Sequence, residues 1–169
     1  VVTGSGDPTI NSRHDPPSAD FIAEITEAVK RAGIDSIRGD IVVDESLWSG
    51  PAVNPQWATG DLSKSYGTGS HAFNFEDNAR GKASVADPAG VFASRLRAAL
   101  RDEGITVAGG RPDPKGRVLL GEHRSATIDE IMRSCMMRSD NQFAEALLRT
   151  VATSGGERGS FESGAKECM

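Results

Sequence analysis

Apolar side chains recur at helical spacing in several parts of this chain, and the residues around them mark where helices start and stop. Phe21, Ile22, Ile25 and Val29 follow Ser18, with Asp20 and Glu24 in or near the first turn and Gly33 where a C-terminal cap belongs. That spacing predicts an amphipathic helix. Asp87-Pro88 supplies an N-cap and a first-turn proline for a second helix, with Phe92, Leu96 and Leu100 on one face and Gly104 as its stop. Thr127-Ile128-Asp129-Glu130 reads as a capping box opening a third, with Ile131, Met132, Cys135 and Met136 turned inward. Ser139 is expected to cap a fourth, whose apolar face is Phe143, Leu147, Leu148 and Val151 and which ends at Gly155-Gly156. Strand-like runs fall at 1–10, interrupted by Gly4-Ser5-Gly6-Asp7-Pro8, and at 36–44, 82–86, 105–107 and 117–120. Helices and strands in this order predict an α+β fold. From 47 to 75 the period disappears, and the chain fills with Gly, Pro, Ser and Thr together with Trp48, Trp57 and Tyr66. Long aperiodic loops of this kind are functional or disordered.

Composition narrows the field. A chain of 169 residues with 37% hydrophobic residues has the length of one ordinary domain and buries a core without staples. The formal charge of -5 argues against the broad basic surface that nucleic-acid backbones require, so no nucleic-acid partner is expected. No apolar run approaches the roughly 20 residues of a membrane helix, although membrane association by other means stays open. Cys135 and Cys168 have neither metal-ligand spacing nor the density of a disulfide scaffold. His14, His71 and His123 are far apart without partner spacing, which favours surface histidines and no metal site. The chain starts at Val1 within an apolar stretch and stops at Met169 within an expected helix without a cap, so it reads as a segment of something longer.

The sharpest chemistry lies in Ser139-Asp140-Asn141. A hydroxyl and a carboxamide two residues apart at a helix start both project into the field of the free backbone N-H groups, where developing negative charge is favoured. Ser-x-Asn is one of three elements of the active-site serine acyl-transferases, beside Ser-x-x-Lys and Lys-Thr-Gly. As a bare tripeptide it reads first as an N-cap. Ser163-Gly164-Ala165-Lys166 spells Ser-x-x-Lys, but it follows Ser139 instead of preceding it and is taken as coincidence.

Met136 to Glu145 resembles the helix-loop-helix that carries this motif in the D-alanyl-D-alanine carboxypeptidases of the class C, type-4 penicillin-binding proteins. Gly4-Ser5-Gly6-Asp7-Pro8-Thr9 is similar to that family's Gly-x-Gly-Asp-Pro-Thr segment, and Gly39-Asp40-Ile41-Val42-Val43-Asp44 to its Gly-x-(Ile/Val)-x-(Ile/Val)-Asp strand. Pro55-Gln56-Trp57-Ala58-Thr59-Gly60-Asp61 resembles its Pro-x-Trp-x-x-x-Asp loop, and Ala86-Asp87-Pro88-Ala89 its returning helix. The matches run in family order over nearly the whole chain.

The resemblance implies part of a penicillin-binding-protein/β-lactamase-like transpeptidase domain at 110–169, carrying Ser-x-Asn, and an inserted accessory α/β domain at 1–109. It also implies that a further β-rich domain is missing at 78–82. Ser139 and Asn141 are the implied catalytic residues. Asp61 is the implied contact for the free amine of the stem peptide's diamino acid, with Tyr66 beside it. Asp7 and Asp44 match as well but sit at strand ends, where turn and cap roles are expected. The implied partners are peptidoglycan stem peptides and β-lactams, the implied location is extracytoplasmic, and no cofactor is implied. The nucleophilic Ser-x-x-Lys and the Lys-Thr-Gly are absent from their family positions, so this chain alone is not expected to catalyse. Two rivals stand beside this reading: a non-catalytic peptidoglycan-binding or scaffolding module of the same fold, and a β-lactamase-like hydrolase, which leaves the Gly-Asp-Pro and Trp-x-x-x-Asp segments unexplained.

Overall fold

The computed structural model describes residues 1–13, 20–110 and 118–169. Each helix forms where its caps allow. Helix α1, Phe21–Arg31, is capped by Asp20, whose carboxylate accepts from the amides of Ile22 and Ala23, and the chain leaves it through Gly33 at φ 68°. The expected cap at Ser18 lies outside the described residues. Helix α2, Pro88–Asp102, starts from Asp87 and its first-turn proline and is stopped by Gly104 at φ 80°. Helix α3, Ile128–Arg138, opens with the expected Thr127/Glu130 capping box. Helix α4, Asn141–Val151, follows almost at once, and α5, Phe161–Glu167, closes at Cys168, which corrects the expectation of an uncapped final helix.

The strands are short. Strands β1 (Val2–Thr3) and β3 (Val43–Asp44) pair in parallel, as do β2 (Ser36–Ile37) and β6 (Thr106–Val107). Strands β4 (Ala79–Arg80) and β5 (Ala83–Ser84) form an antiparallel hairpin. The run 36–44 is therefore not one strand: its two ends pair with different partners, and the chain turns between them at Gly39-Asp40. Residues 118–120 are not a strand either, and Val118 and Leu119 are exposed. A β-branched run alone does not make a strand unless an unpaired edge lies beside it.

The main core sits between α1, α2 and the end of the aperiodic segment. Phe92 is fully buried, with its ring centroid 4.7 Å from Phe73, 5.4 Å from Phe75 and 5.6 Å from Phe21. Val29, Leu96, Leu100 and Ile105 complete it. A smaller core of Trp48, Ala72 and Ala146 joins the aperiodic segment to α4. Gly6 is confined to this seam: it lies at φ 84°, and a Cβ there would stand 2.6 Å from the Trp48 ring. Helix α3 departs from its expected packing, because only Ile131 and Ser134 are buried, whereas Met132 and Met136 are 52% and 78% exposed. Helical period identifies an apolar stripe, but a neighbouring element must cover that stripe before it is buried.

Phe92→Ala removes the ring that three other phenylalanines touch and should cost about 3–5 kcal/mol in chemical denaturation, whereas Met136→Ala should stay within about 0.5 kcal/mol of the parent.

Candidate active site

The Ser-x-Asn motif occupies a connection of two residues between α3 and α4. A turn this tight requires a left-handed residue, and Ser139 supplies it at φ 53°, ψ 47°, as the C-cap of α3. Both Ser139 and Asp140 donate their backbone N-H to the Cys135 carbonyl. The N-cap of α4 is Asp140, whose Oδ1 accepts from the Phe143 amide at 3.0 Å. The expectation that Ser139 caps α4 is thus corrected: a residue in the left-handed region has its side chain turned away from the following helix, so the next residue takes the cap. The Ser139 hydroxyl stands outside the cap, on an exposed turn. A non-glycine residue held left-handed costs about 1–2 kcal/mol and is retained where its surroundings or its function demand it.

Asn141 begins α4, and its Nδ2 donates to the Tyr66 carbonyl at 3.0 Å. The Tyr66 hydroxyl donates to Asp61 Oδ1 at 2.8 Å, and that carboxylate holds the phenol in its protonated form, above the ordinary tyrosine range. Asp61, Tyr66 and Asn141 therefore form one hydrogen-bonded chain, although 75 residues separate Tyr66 from Asn141. Asp61 is half-buried and Tyr66 is 53% exposed, so both side chains remain open to a ligand. A cleft of about 300 Å³ adjoins the group, lined by Ser65, Asp140, Gln142, Gly81 and the ion-paired Arg13 and Asp77.

The other expected features fall elsewhere. Ser163 forms a reciprocal capping box with Ser160 at the start of α5, which accounts for its hydroxyl without catalysis. Asp7 accepts from the Thr9 amide and hydroxyl, and Asp44 from the Ser46 amide, as turn residues do. His71 and His123 are not surface histidines. Their side chains are 13% and 12% exposed, His71 beside Glu45 and His123 Nδ1 2.7 Å from Glu24. His71 draws the Glu45 carboxyl below the ordinary range. His14 lies outside the described residues, and among those described no group of three potential ligands is placed to hold a metal ion.

Two residues of α4 that sequence reasoning passed over hold the aperiodic segment in place. Glu145 Oε1 accepts from Trp57 Nε1 at 2.7 Å, and burial pushes its carboxyl above the ordinary range. Arg149 is only 2% exposed and donates to the carbonyls of Ser49, Pro51 and Ser70. Its signal in the sequence was a charged side chain two positions from both Leu147 and Val151 on the apolar face of the helix.

The model of the D-Ala-D-Ala carboxypeptidase 3 (S13) family matches residues 1–83 and 79–168. The chain belongs to this family. Carboxypeptidase DacB of Mycolicibacterium smegmatis is 28% identical over 96% of the chain and 37% of its own length. A carboxypeptidase of Mycobacterium tuberculosis is 27% identical over the whole chain and 38% of its own length. The fold is similar to part of penicillin binding protein 4 (dacB) from Haemophilus influenzae, with a TM-score of 0.74 at 19% identity over 98% of the chain and 51% of that protein. A second structure of the same Haemophilus protein, complexed with a β-lactam, matches with a TM-score of 0.54 at 17% identity, over 98% of the chain and 49% of that protein. The chain thus spans less than two fifths of the curated relatives and about half of the solved structures. The type-4 penicillin-binding-protein resemblance read from the motifs is borne out.

If Asp140 is the cap, Asp140→Ala should lower stability by about 1 kcal/mol, and Ser139→Ala should stay within about 0.5 kcal/mol of the parent in thermal or urea unfolding.

Proposed function

We propose that this chain is a segment of a serine D-Ala-D-Ala carboxypeptidase/endopeptidase that trims peptidoglycan stem peptides outside the cytoplasm and is acylated by penicillin. The observation that supports the reading is the link through Tyr66, whose carbonyl accepts from Asn141 of the Ser-x-Asn motif and whose hydroxyl donates to the Asp61 carboxylate. Membership of the carboxypeptidase family supports the reaction class.

In this reading residues 110–169 belong to a transpeptidase-like domain and 1–109 to an inserted accessory domain, with a further domain missing at 78–82. Supporting the last point, the family match is split into two spans that meet at 79–83. The acylating serine and its lysine lie outside the chain. That serine's oxygen attacks the carbonyl of the penultimate D-Ala, the C-N bond breaks, D-Ala leaves with the proton on its amine, and water hydrolyses the ester. Ser139 relays the proton between the lysine and the leaving amine. Its exposed hydroxyl, free of capping duty, suits that task. Asn141 holds the substrate amide, exchanging its bond to the Tyr66 carbonyl for one to the peptide or keeping both through its two N-H groups. Asp61 has one oxygen on the Tyr66 hydroxyl and offers the other to the side-chain amine of the diamino acid.

The isolated chain should form no penicilloyl adduct by intact mass. In the full-length enzyme, Ser139→Ala and Asn141→Ala should each slow acylation by about 10²–10⁴-fold. A full-length protein that penicillin never acylates would instead be the non-catalytic peptidoglycan-binding module.

Asp61→Asn should lower kcat/KM by about tenfold or more on diamino-acid peptides and spare acyl-D-Ala-D-Ala peptides that lack the amine. Equal losses on both substrates would remove Asp61 from the binding site.

A further inference from the structure

Asn141, Glu145 and Arg149 stand four residues apart on α4 and therefore on one face of the helix. All three hold the same aperiodic segment. Asn141 takes the Tyr66 carbonyl, Glu145 takes the Trp57 indole, and Arg149 takes the carbonyls of Ser49, Pro51 and Ser70 at 3.0, 3.2 and 2.7 Å. The Arg149 bonds fall at the two ends of the segment, beside the Ser70 amide that donates to the Ala52 carbonyl at 2.9 Å, so 52–69, with Asp61 and Tyr66 in its middle, is closed into a loop whose base is gathered by the guanidinium. That guanidinium also lies over two rings, with its carbon 4.6 Å from the Trp48 ring centroid and 4.8 Å from that of Phe161.

Only arginine meets these demands together. Its planar fork carries five donors for carbonyls that converge from different directions, and its two flat faces accept aromatic rings. Lysine keeps the charge and three donors, but its ammonium gathers them at one point and has no planar fork to spread between separated carbonyls and aromatic rings. The loop has no helix and no strand of its own; its middle leans on the β4–β5 hairpin, where Ser65 donates to the Lys82 carbonyl and Ser84 to that of Leu62, and its ends are held to α4 by these tethers.

We infer that Arg149 is a positioning residue for peptide selectivity: by closing the base of the 52–69 loop on α4, it sets where Asp61 and Tyr66 stand relative to Ser139 and Asn141. The inference rests on the reading of Asp61 given above. Asn141 is the first residue of α4 and Ser139 stands in the two-residue turn before it, whereas Asp61 and Tyr66 are carried by the loop. Loosening Arg149 therefore separates the two groups without removing either.

The test uses the full-length enzyme with Arg149→Lys and Arg149→Met, with hydrogen exchange followed by mass spectrometry and kcat and KM measured on peptides with and without a side-chain amine. Exchange should rise in 52–69 and not in α1 and α2. KM for the amine-bearing peptide should rise, lowering kcat/KM by about tenfold or more, since misplacements of about 1 Å carry penalties of that order. Peptides lacking the amine should change much less, and Arg149→Lys should fall between wild type and Arg149→Met. Should Arg149→Met unfold, Arg149→Lys alone is read by the same criteria. Unchanged exchange in 52–69, exchange raised equally in α1 and α2, or equal kinetic losses on both peptides would each overturn the inference. So would a loosened loop with selectivity intact while Asp61→Asn abolishes it. A silent Asp61→Asn would instead sink the reading of Asp61 on its own, and that variant separates the two failures.

Discussion

The buried guanidinium of Arg149 is the constraint on which the candidate site depends. An arginine taken out of water is tolerated only where its donors find acceptors, and a segment without ladder bonds leaves carbonyls that need donors. Each need answers the other: the carbonyls of Ser49, Pro51 and Ser70 accept from the two terminal nitrogens, leaving Nε as the buried nitrogen without a hydrogen bond, and the charge gathers the two ends of the loop. Trp48 and Phe161 both lie against the ion, which ties α5 and the Gly6 seam to the same point. Burial penalises the cation and draws the Arg149 proton affinity below its usual range, while Glu145 and Glu45 oppose that shift.

Backbone strain is concentrated around the same region. Ser139 is left-handed in the turn between α3 and α4, and Glu76, Asp77 and Asn78 are left-handed in succession at φ 52°, 58° and 49°. Asn and Asp tolerate this region better than other residues with a Cβ, and here they are held by their side chains. Asn78 is fully buried; it accepts from the Phe75 amide and donates to Gly69 and Asn74, while Asp77 is bound to Ser12 and Arg13. The hydrogen bonds offset a backbone cost of about 1–2 kcal/mol per residue. They also anchor the chain just after the loop, so 52–69 is fixed at its base by Arg149 and beyond its end by Asn74 and Asn78.

Helices α1 and α2 were legible because local chemistry defines them: an acidic cap, a first-turn proline, a glycine stop and a phenylalanine or leucine every third or fourth residue. The motif residues were legible through their order along the chain, which matched a family. The fate of the methionines on α3 was not, since their exposure depends on what lies opposite. Ser139 as the N-cap of α4 was the natural expectation from sequence, and a turn of two residues displaced the cap by one position.

The sequence by itself determined the α+β character, the positions of the main helices, the family and the identity of Ser139, Asn141, Asp61 and Tyr66 as the residues to examine. Those properties are carried by near neighbours in the chain and by motif order. Only the tertiary structure decided that Asn141 meets Tyr66, that Glu145 meets Trp57, and that Arg149 gathers carbonyls some 79 to 100 residues away. The Asn141 and Arg149 contacts join side chains to backbone carbonyls, which every residue possesses. A carbonyl has no signature in an amino-acid sequence, so the chain can name the donor but cannot reveal which acceptors the fold will bring to it.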